Sequence, residues 1–309
     1  DLAKQKGRTV YFDVHTWTHN PDSSAKYTEV LVSFYNALHQ VCPGTDTKVV
    51  IFEYNALAHN MERGLANAYA TIDMEKYSDM FPIVSSANCL QVDGHNDNGW
   101  DQGLVFMDND SSWYQPPAYV TQMSGGAYQP NRVAARLDGA VDGVNYVAGR
   151  SDDGESLTLK FLNNNASELG ISTLLKGLAE GDYDVTVTTL RADNLSDTNT
   201  ADNPEKIKPV VRTLENGVRN NKLLVTLAPK SYTVVTIVKS TDAPVIKGDV
   251  TGDGEVNISD VMGACKILAR KALQQEPNAD EIARADMNGD GFITITDIMA
   301  LCKILASRA

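Results

Sequence analysis

Apolar positions change their period twice along the chain, near residue 130 and again near residue 245. From residue 9 to about 125, short β-type runs alternate with stretches of helical spacing. The runs are Thr9-Val10-Tyr11-Phe12, Val49-Val50-Ile51-Phe52 and Pro82-Ile83-Val84-Ser85. Between them Tyr27, Val30, Leu31, Phe34, Leu38 and Val41, and then Leu65, Ala68, Tyr69 and Ile72, recur every three or four residues, the spacing that keeps side chains on one helix face. Strand and helix in alternation predict parallel βα units. Three such units fall short of a closed eight-unit barrel, which takes about 250 residues. Residues 1–130 are therefore expected to be the C-terminal part of a (β/α)8 barrel whose first strands lie outside this sequence.

From 131 to 240 the runs become short and alternating: Leu157 to Leu162, Tyr183 to Val187, Leu223 to Leu227 and Tyr232 to Val238. Turn signals such as Asp153-Gly154 and Glu180-Gly181 separate them, which predicts an antiparallel β-sandwich. Residues 241–247 read as a linker. The tail, 248–309, repeats itself: Gly248 to Leu268 and Ala285 to Leu305 are two copies of one unit, offset by 286 − 249 = 37 residues, with Cys265 and Cys302 in register. Val261, Cys265 and Leu268, with Ile298, Cys302 and Leu305, are the expected core stripe of that module.

With 40 acidic against 27 basic residues and no basic run, the charge balance argues against nucleic acid and anionic membrane as partners and fits cation binding. No stretch of 18 apolar residues offers a membrane span. Cysteines 42, 89, 265 and 302 form no CxxC pair and are read as free thiols. The first residues, with no initiator methionine, lead straight into a β-type run, which reads as a chain cut from a longer one.

Candidate chemistry begins in the repeated tail. Asp249, Thr251, Asp253, Asn257 and Asp260 place side-chain oxygens at positions 1, 3, 5, 9 and 12 of a loop with Gly254 at position 6. Asp286, Asn288, Asp290, Thr294, Asp297 and Gly291 repeat the spacing. Alternate residues of a tight loop, with the backbone carbonyl of position 7 (Glu255, Phe292), converge on one point and satisfy the oxygen demand of a hard cation, so two Ca2+ ions are expected. Thr251 is a weaker ligand than Asn288 at the same position, which predicts a looser first site. The first loop follows a segment from Pro244 to Gly248 that is not helical in pattern, unlike an ordinary EF-hand.

Loop then helix, duplicated and closed by Asp, resembles the dockerin family over residues 248–307. That resemblance implies a small α-helical module with two EF-hand-like calcium loops, whose partner is a cohesin module of a scaffoldin. It also implies cohesin contacts at Ile258, Ser259, Lys266, Ile295, Thr296 and Lys303, and a two-fold surface able to dock in either orientation. Its cargo is expected to be a secreted, extracellular, cellulosome-associated enzyme of plant polysaccharide.

Two polar clusters end apolar runs where a βα barrel keeps its active site: Asp13-Val14-His15-Thr16-Trp17 and Glu53-Tyr54-Asn55. Taken with the Ser85-Ser86-Ala87-Asn88 strand, the Gly103 to Asn109 and Pro117 to Gln122 segments, and Leu190 to Asp193, Asn199 to Lys206 and Leu227 to Val234, the order resembles the C-terminal half of family 51 glycoside hydrolases, the α-L-arabinofuranosidases, over residues 8–240. The resemblance implies a retaining glycosidase with Glu53 as nucleophile, His15 and Trp17 contacting the furanose, and an arabinose-containing polysaccharide as substrate. Trp17 stands where the family more often has Tyr, and Cys89 where it has Gln, with Gln91 two residues on. The family's acid/base Glu belongs to an earlier strand outside this chain. Glu29, Glu62 and Glu75 lie in helical patterns and are expected to face solvent. Other readings are an endoglucanase of the same family or a non-catalytic component carried by the dockerin. Trp100 and Trp113 are candidates to stack on sugar rings or to pack internally. His39 reads as a helix residue, and His19, His59 and His95 as loop residues.

Overall fold

The computed structural model describes residues 2–96, 99–139, 142–178, 182–214, 217–240 and 246–308. The Glu180-Gly181 turn and most of the 241–247 linker lie outside them. The chain divides into two compact units, Asp1–Lys239 and Ser240–Ala309.

In the first unit a helical turn, α1 (Leu2–Gln5), precedes β1 (Tyr11–Trp17), α2 (Pro21–Val41), β2 (Lys48–Asn55), α3 (Met61–Lys76) and β3 (Val84–Ser86). The three strands form a parallel sheet in the order β1-β2-β3. No closed barrel forms among the described residues. Val49, Val50 and Ile51 on the central strand are 0–1% exposed. On edge strand β1, Tyr11 and Phe12 are exposed.

Helix α2 begins at an Asn20 capping box with Pro21 in the first turn, which satisfies the first free amides. Its buried stripe is Pro21, Ser24, Thr28 and Leu31, whereas Val30 and Val41 of the expected apolar face are exposed. The reason is a close approach to α3, where Ser24 Oγ donates to Ala66 O at 2.8 Å. Small residues permit that approach, and large apolar ones do not.

Next come β4 (Leu90–Val92), β5 (Val105–Met107) and β6 (Ser112–Tyr114), a small second sheet, and α4 (Pro116–Gly126). Strands β7 (Asn131–Val133), β8 (Val144–Arg150), β9 (Ser156–Asn163), β11 (Tyr183–Arg191), β12 (Val210–Leu214) and β15 (Ser231–Lys239) form a six-stranded antiparallel sheet. Its order is β12-β11-β15-β9-β8-β7. Strands β10 (Leu169–Leu174), β13 (Val218–Arg219) and β14 (Lys222–Leu227) form a three-stranded sheet facing it.

Strand alternation gives the six-stranded sheet two apolar faces. Leu159, Phe161, Val185, Val187, Val235 and Ile237 pack with Leu223, Val225 and Leu227 of the smaller sheet. Leu162, Leu190, Tyr232 and Val234 pack instead against Met61, Leu65 and Ile72 of α3 and Val120 of α4. Helix α3 is therefore buried almost all round, its polar Arg63, Asn67 and Asp73 included, because it is sandwiched between α2 and the large sheet. Glu75, expected to face solvent, is half-buried on that side: Lys160, 2% exposed, donates to it at 2.5 Å and to Ser124 O at 2.9 Å. Burial pushes the Glu75 carboxyl up, and Lys160 opposes the rise.

In the second unit, α5 (Ile258–Ala272), α6 (Ala279–Ala285) and α7 (Ile295–Arg308) enclose Ala264, Ile267, Ala285, Ile293, Ile298 and Leu301. Cys265 and Cys302, expected in this core, are exposed. The buried stripes run instead through Asp260, Ala264 and Ile267, and through Asp297, Ile298 and Leu301. The loop-closing aspartate is drawn inward by the loop amides and sets the rotation of each helix. All four cysteines are free and exposed. No described helix is long and apolar enough to cross a membrane.

Candidate functional site

Parallel pairing of β1 with β2 puts His15 directly opposite Glu53 and Trp17 opposite Asn55, after a register shift between Asp13 and His15. All four side chains thus belong to the C-terminal ends of neighbouring parallel strands, where a βα fold leaves polar groups open. His15 Nδ1 is 3.4 Å from Glu53 Oε2 and its Nε2 is 3.2 Å from Asp13 Oδ2, so one imidazole bridges two carboxylates. Asn55 Nδ2 donates to the same Glu53 oxygen at 3.3 Å. Asp13 Oδ1 accepts the Phe52 amide at 3.2 Å, which ties the two strands side by side. Glu53 and His15 are 44% and 49% exposed, leaving the carboxylate open to a ligand.

A buried layer beneath fixes this rim. Gln102 accepts the Ala56 amide at 2.8 Å, and donates to Asn55 Oδ1 at 3.4 Å and to Asn88 Oδ1 at 3.1 Å. Arg63, fully buried on α3, donates to Ala58 O at 2.9 Å, to Ala87 O at 2.5 Å, to Ser86 Oγ at 3.3 Å and to Gln102 O. Burial lowers its guanidinium to about 10, with Tyr54 and Asp101 opposing, so it stays charged at neutral pH. It ties the ends of β2 and β3 to the loop carrying Gln102. Replacing it strips one buried and two part-buried carbonyls of a charged donor, at roughly 1–3 kcal/mol for a fully buried one. Arg63→Met is expected to destabilise the first unit by more than about 3 kcal/mol, measured as an earlier denaturant midpoint with unchanged slope.

Trp17 closes one side of the rim, its ring 5.0 Å from Trp100 and 5.4 Å from His19. Trp113 is 4% exposed and donates from Nε1 to Asn199 O at 3.2 Å, a packing position. Gln91, 8% exposed, accepts the Gly103 amide at 2.8 Å and donates to Asp101 at 2.9 Å, so it braces the loop. Asn55, Gln102 and Arg63 were not singled out from sequence. Asn55 could have been found as the last residue of the Glu53-Tyr54-Asn55 cluster; nothing local marks the other two.

The two acidic loops of the second unit share one hydrogen-bonding scheme. Asp249 accepts the amides of Gly252, Asp253 and Gly254 at 2.8, 3.1 and 2.9 Å. Asp286 accepts those of Gly289, Asp290 and Gly291 at 2.7, 3.2 and 2.8 Å. These three amides, Gly291 foremost, hold the Asp286 carboxyl below the usual carboxylate range. Asp260 accepts the Thr251 and Asn257 amides, both at 2.8 Å. Asp297 accepts Met287 and Thr294, both at 2.9 Å. Gly254 (φ 87°) and Gly291 (φ 81°) adopt left-handed backbone that other residues strain to reach. Asp253 and Asp290 each accept the amide of position 7, Glu255 and Phe292, at 2.9 Å.

Among the described residues no three His, Cys, Asp or Glu side chains are gathered as a metal cluster, because these carboxylates are turned onto their own loop amides. The donors nevertheless suit a hard cation. Asp249, Asp260, Asp286 and Asp297 are buried carboxylates, 0–6% exposed, and no Lys or Arg forms an ion pair with Asp260, Asp286 or Asp297 among the described residues. Buried charge of one sign calls for a counter-ion. Outside the loops, Ile258, Ser259, Lys266, Ile295, Thr296 and Lys303 are all exposed.

Residues 37–231 match the α-L-arabinofuranosidase C-terminal domain, and residues 247–306 match the dockerin type I domain. No curated protein sequence matches the chain. Among solved structures, the thermostable GH51 α-L-arabinofuranosidase from Thermotoga petrophila superposes with TM-score 0.60 at 14% identity, over 73% of this chain and 52% of its own. The arabinose complex of the α-L-arabinofuranosidase from Thermotoga maritima gives 0.61 at 15%, over 74% and 52%. The GH51 arabinofuranosidase from Xanthomonas axonopodis pv. citri gives 0.60 at 14%, over 75% and 53%. This chain spans about half the length of these solved arabinofuranosidases, and at such identity the likeness is one of fold.

Proposed function

Because this chain belongs to the α-L-arabinofuranosidase C-terminal domain family and ends in a type I dockerin, we propose that it is the nucleophile-bearing part of a secreted, retaining arabinofuranosidase held on a scaffold. The observation that carries this reading is the exposed Glu53 carboxylate, gripped by His15 and Asn55 at the C-terminal end of a parallel strand.

In the reaction proposed, the Glu53 carboxylate attacks the anomeric carbon of an α-L-arabinofuranosyl unit. The bond to the leaving oxygen breaks, and a second carboxyl, protonated, supplies the proton that oxygen needs. The same group, now a base, takes a proton from water, which displaces Glu53 from the glycosyl-enzyme. His15 and Asn55 orient Glu53, and Trp17 bounds the furanose. The second carboxyl belongs to the half of the relatives' length that this chain does not match. The test is hydrolysis of an aryl α-L-arabinofuranoside by the full-length protein. Glu53→Ala is expected to lower it on the order of 10⁴-fold, and undiminished turnover overturns the assignment.

For the second unit, the duplicated oxygen-rich loops, Asp249 to Asp260 and Asp286 to Asp297, are proposed to hold one Ca2+ each. Asp249, Thr251, Asp253 and Asp260, with the Glu255 carbonyl, serve the first, and Asp286, Asn288, Asp290 and Asp297, with the Phe292 carbonyl, the second. Calcium supplies the positive charge that Asp260, Asp286 and Asp297 lack, and adds to the Arg284 charge already beside Asp249. The partner is a cohesin module, met through the exposed Ile258, Ser259 and Lys266 or through their repeats Ile295, Thr296 and Lys303. Altering Ile258 and Ser259 alone should change cohesin affinity by less than about tenfold, because the second face replaces the first. Altering Ile295 and Thr296 as well should abolish binding in a titration. Loss of binding from the first pair alone contradicts docking in two orientations.

A further inference from the structure

The first acidic loop has a fixed positive charge packed against it. Arg284, on α6, is 13% exposed and sets Nη1 3.7 Å from Asp249 Oδ2, while its Nε donates to the two Asp280 oxygens at 3.1 and 3.0 Å. Nη1 is buried and makes no hydrogen bond among the described residues. It lies 3.7 Å from where a Cβ on Gly252 would stand, so the guanidinium rests on the loop's own backbone. Arg284 and the loop are also joined through the chain, Gly248 N donating to Arg284 O at 2.8 Å.

In the 37-residue repeat the counterpart of Arg284 is Lys247. Asp286 feels Lys247 as a nearby charge, but the two make no ion pair among the described residues. The two loops are thus alike in their oxygens, and of the two equivalent cations only Arg284 makes an ion pair with the first aspartate of its loop among the described residues.

We propose that Arg284 sets the order in which the two loops take calcium: it compensates Asp249 while the first loop is empty and opposes a further positive charge there. Residues 286–297 fill at low calcium, and residues 249–260 only at higher calcium. The inference rests on the calcium reading of the loops. Thr251 in place of Asn288 acts in the same direction. A unit charge near a divalent ion weakens binding on the order of tenfold even when well screened.

The test is calorimetric titration of calcium into the decalcified 309-residue chain. Two separated steps are expected, the tight one lost in Asp286→Asn and the weak one lost in Asp249→Asn. Arg284→Gln should tighten the weak step on the order of tenfold and leave the tight one in place, whereas Arg284→Lys, which keeps the charge, should preserve most of the gap. Loss of the tight step in Asp249→Asn overturns the ordering, and an unchanged gap in Arg284→Gln with helical circular dichroism retained in calcium overturns the part given to Arg284; neither touches the calcium reading. Absence of calcium heat from the unsubstituted chain overturns the calcium reading and the ordering with it.

Discussion

Chelation of calcium is expected to abolish cohesin binding and most of the helical circular dichroism contributed by residues 246–308. Each loop holds two carboxylates that are 0–6% exposed, with a third, more exposed one at position 5. The apolar core they flank is small, built on side chains such as Ala264, Ile267, Ala285 and Ile293. A module of this size has little stability to spare. A ligand that binds only the folded form adds about 4 kcal/mol when present at 1,000 times its dissociation constant, and its removal takes that away. Two ions removed from one small core are expected to exceed what the core supplies. Circular dichroism of Ser240–Ala309 within the full chain, with and without chelator, reads the change at 222 nm. Helical signal and cohesin affinity that both survive complete chelation contradict the assignment.

The second large effect concerns activity. A retaining glycosidase divides its chemistry between a nucleophile and an acid/base about 5–5.5 Å apart. At the rim described above, Asp13 and Glu53 share one imidazole, His15 standing between them with a nitrogen toward each. Asp13 also accepts the Phe52 amide, so its role is to hold the strands and the histidine. The 309-residue chain alone is therefore expected to show no measurable hydrolysis of arabinan or arabinoxylan, and a longer protein that supplies the proposed acid/base is expected to hydrolyse them. Natural leaving groups depend most on protonation. Misplacement by about 1 Å alone costs on the order of a hundredfold. Release of arabinose from the polymer by this chain, abolished by Glu53→Gln, would show that the acid/base lies within residues 1–239.

The parallel units were legible because β2 is buried on both faces and reads as an unbroken apolar run, Val49 to Ile51. The sandwich was legible because its strands alternate. Strands β4 to β6 were not, since three residues are too few to establish a period. The packed face of α2 was misread because Ser24 and Thr28, polar in sequence, are the residues small enough to meet α3. In the second unit the apolar repeat placed Cys265 and Cys302 inside, whereas the closing aspartates turn each helix and leave those thiols outside. At the candidate site, the polar clusters ending β1 and β2 pointed to His15, Trp17 and Glu53. The support beneath them, Arg63 on α3 and Gln102 in a loop, was invisible because it comes from distant positions whose local patterns say only helix and loop.

Azide rescue of the Glu53→Ala variant tests the central claim most directly. If Glu53 is the nucleophile, its removal leaves a space beside the anomeric carbon while the acid/base stays in place. Added azide should then restore turnover of an aryl α-L-arabinofuranoside by the full-length protein, and the product should be the glycosyl azide of inverted configuration, identified by nuclear magnetic resonance. A variant that keeps wild-type activity without azide, or whose rescue yields the azide of retained configuration, would contradict the placing of the nucleophile at Glu53.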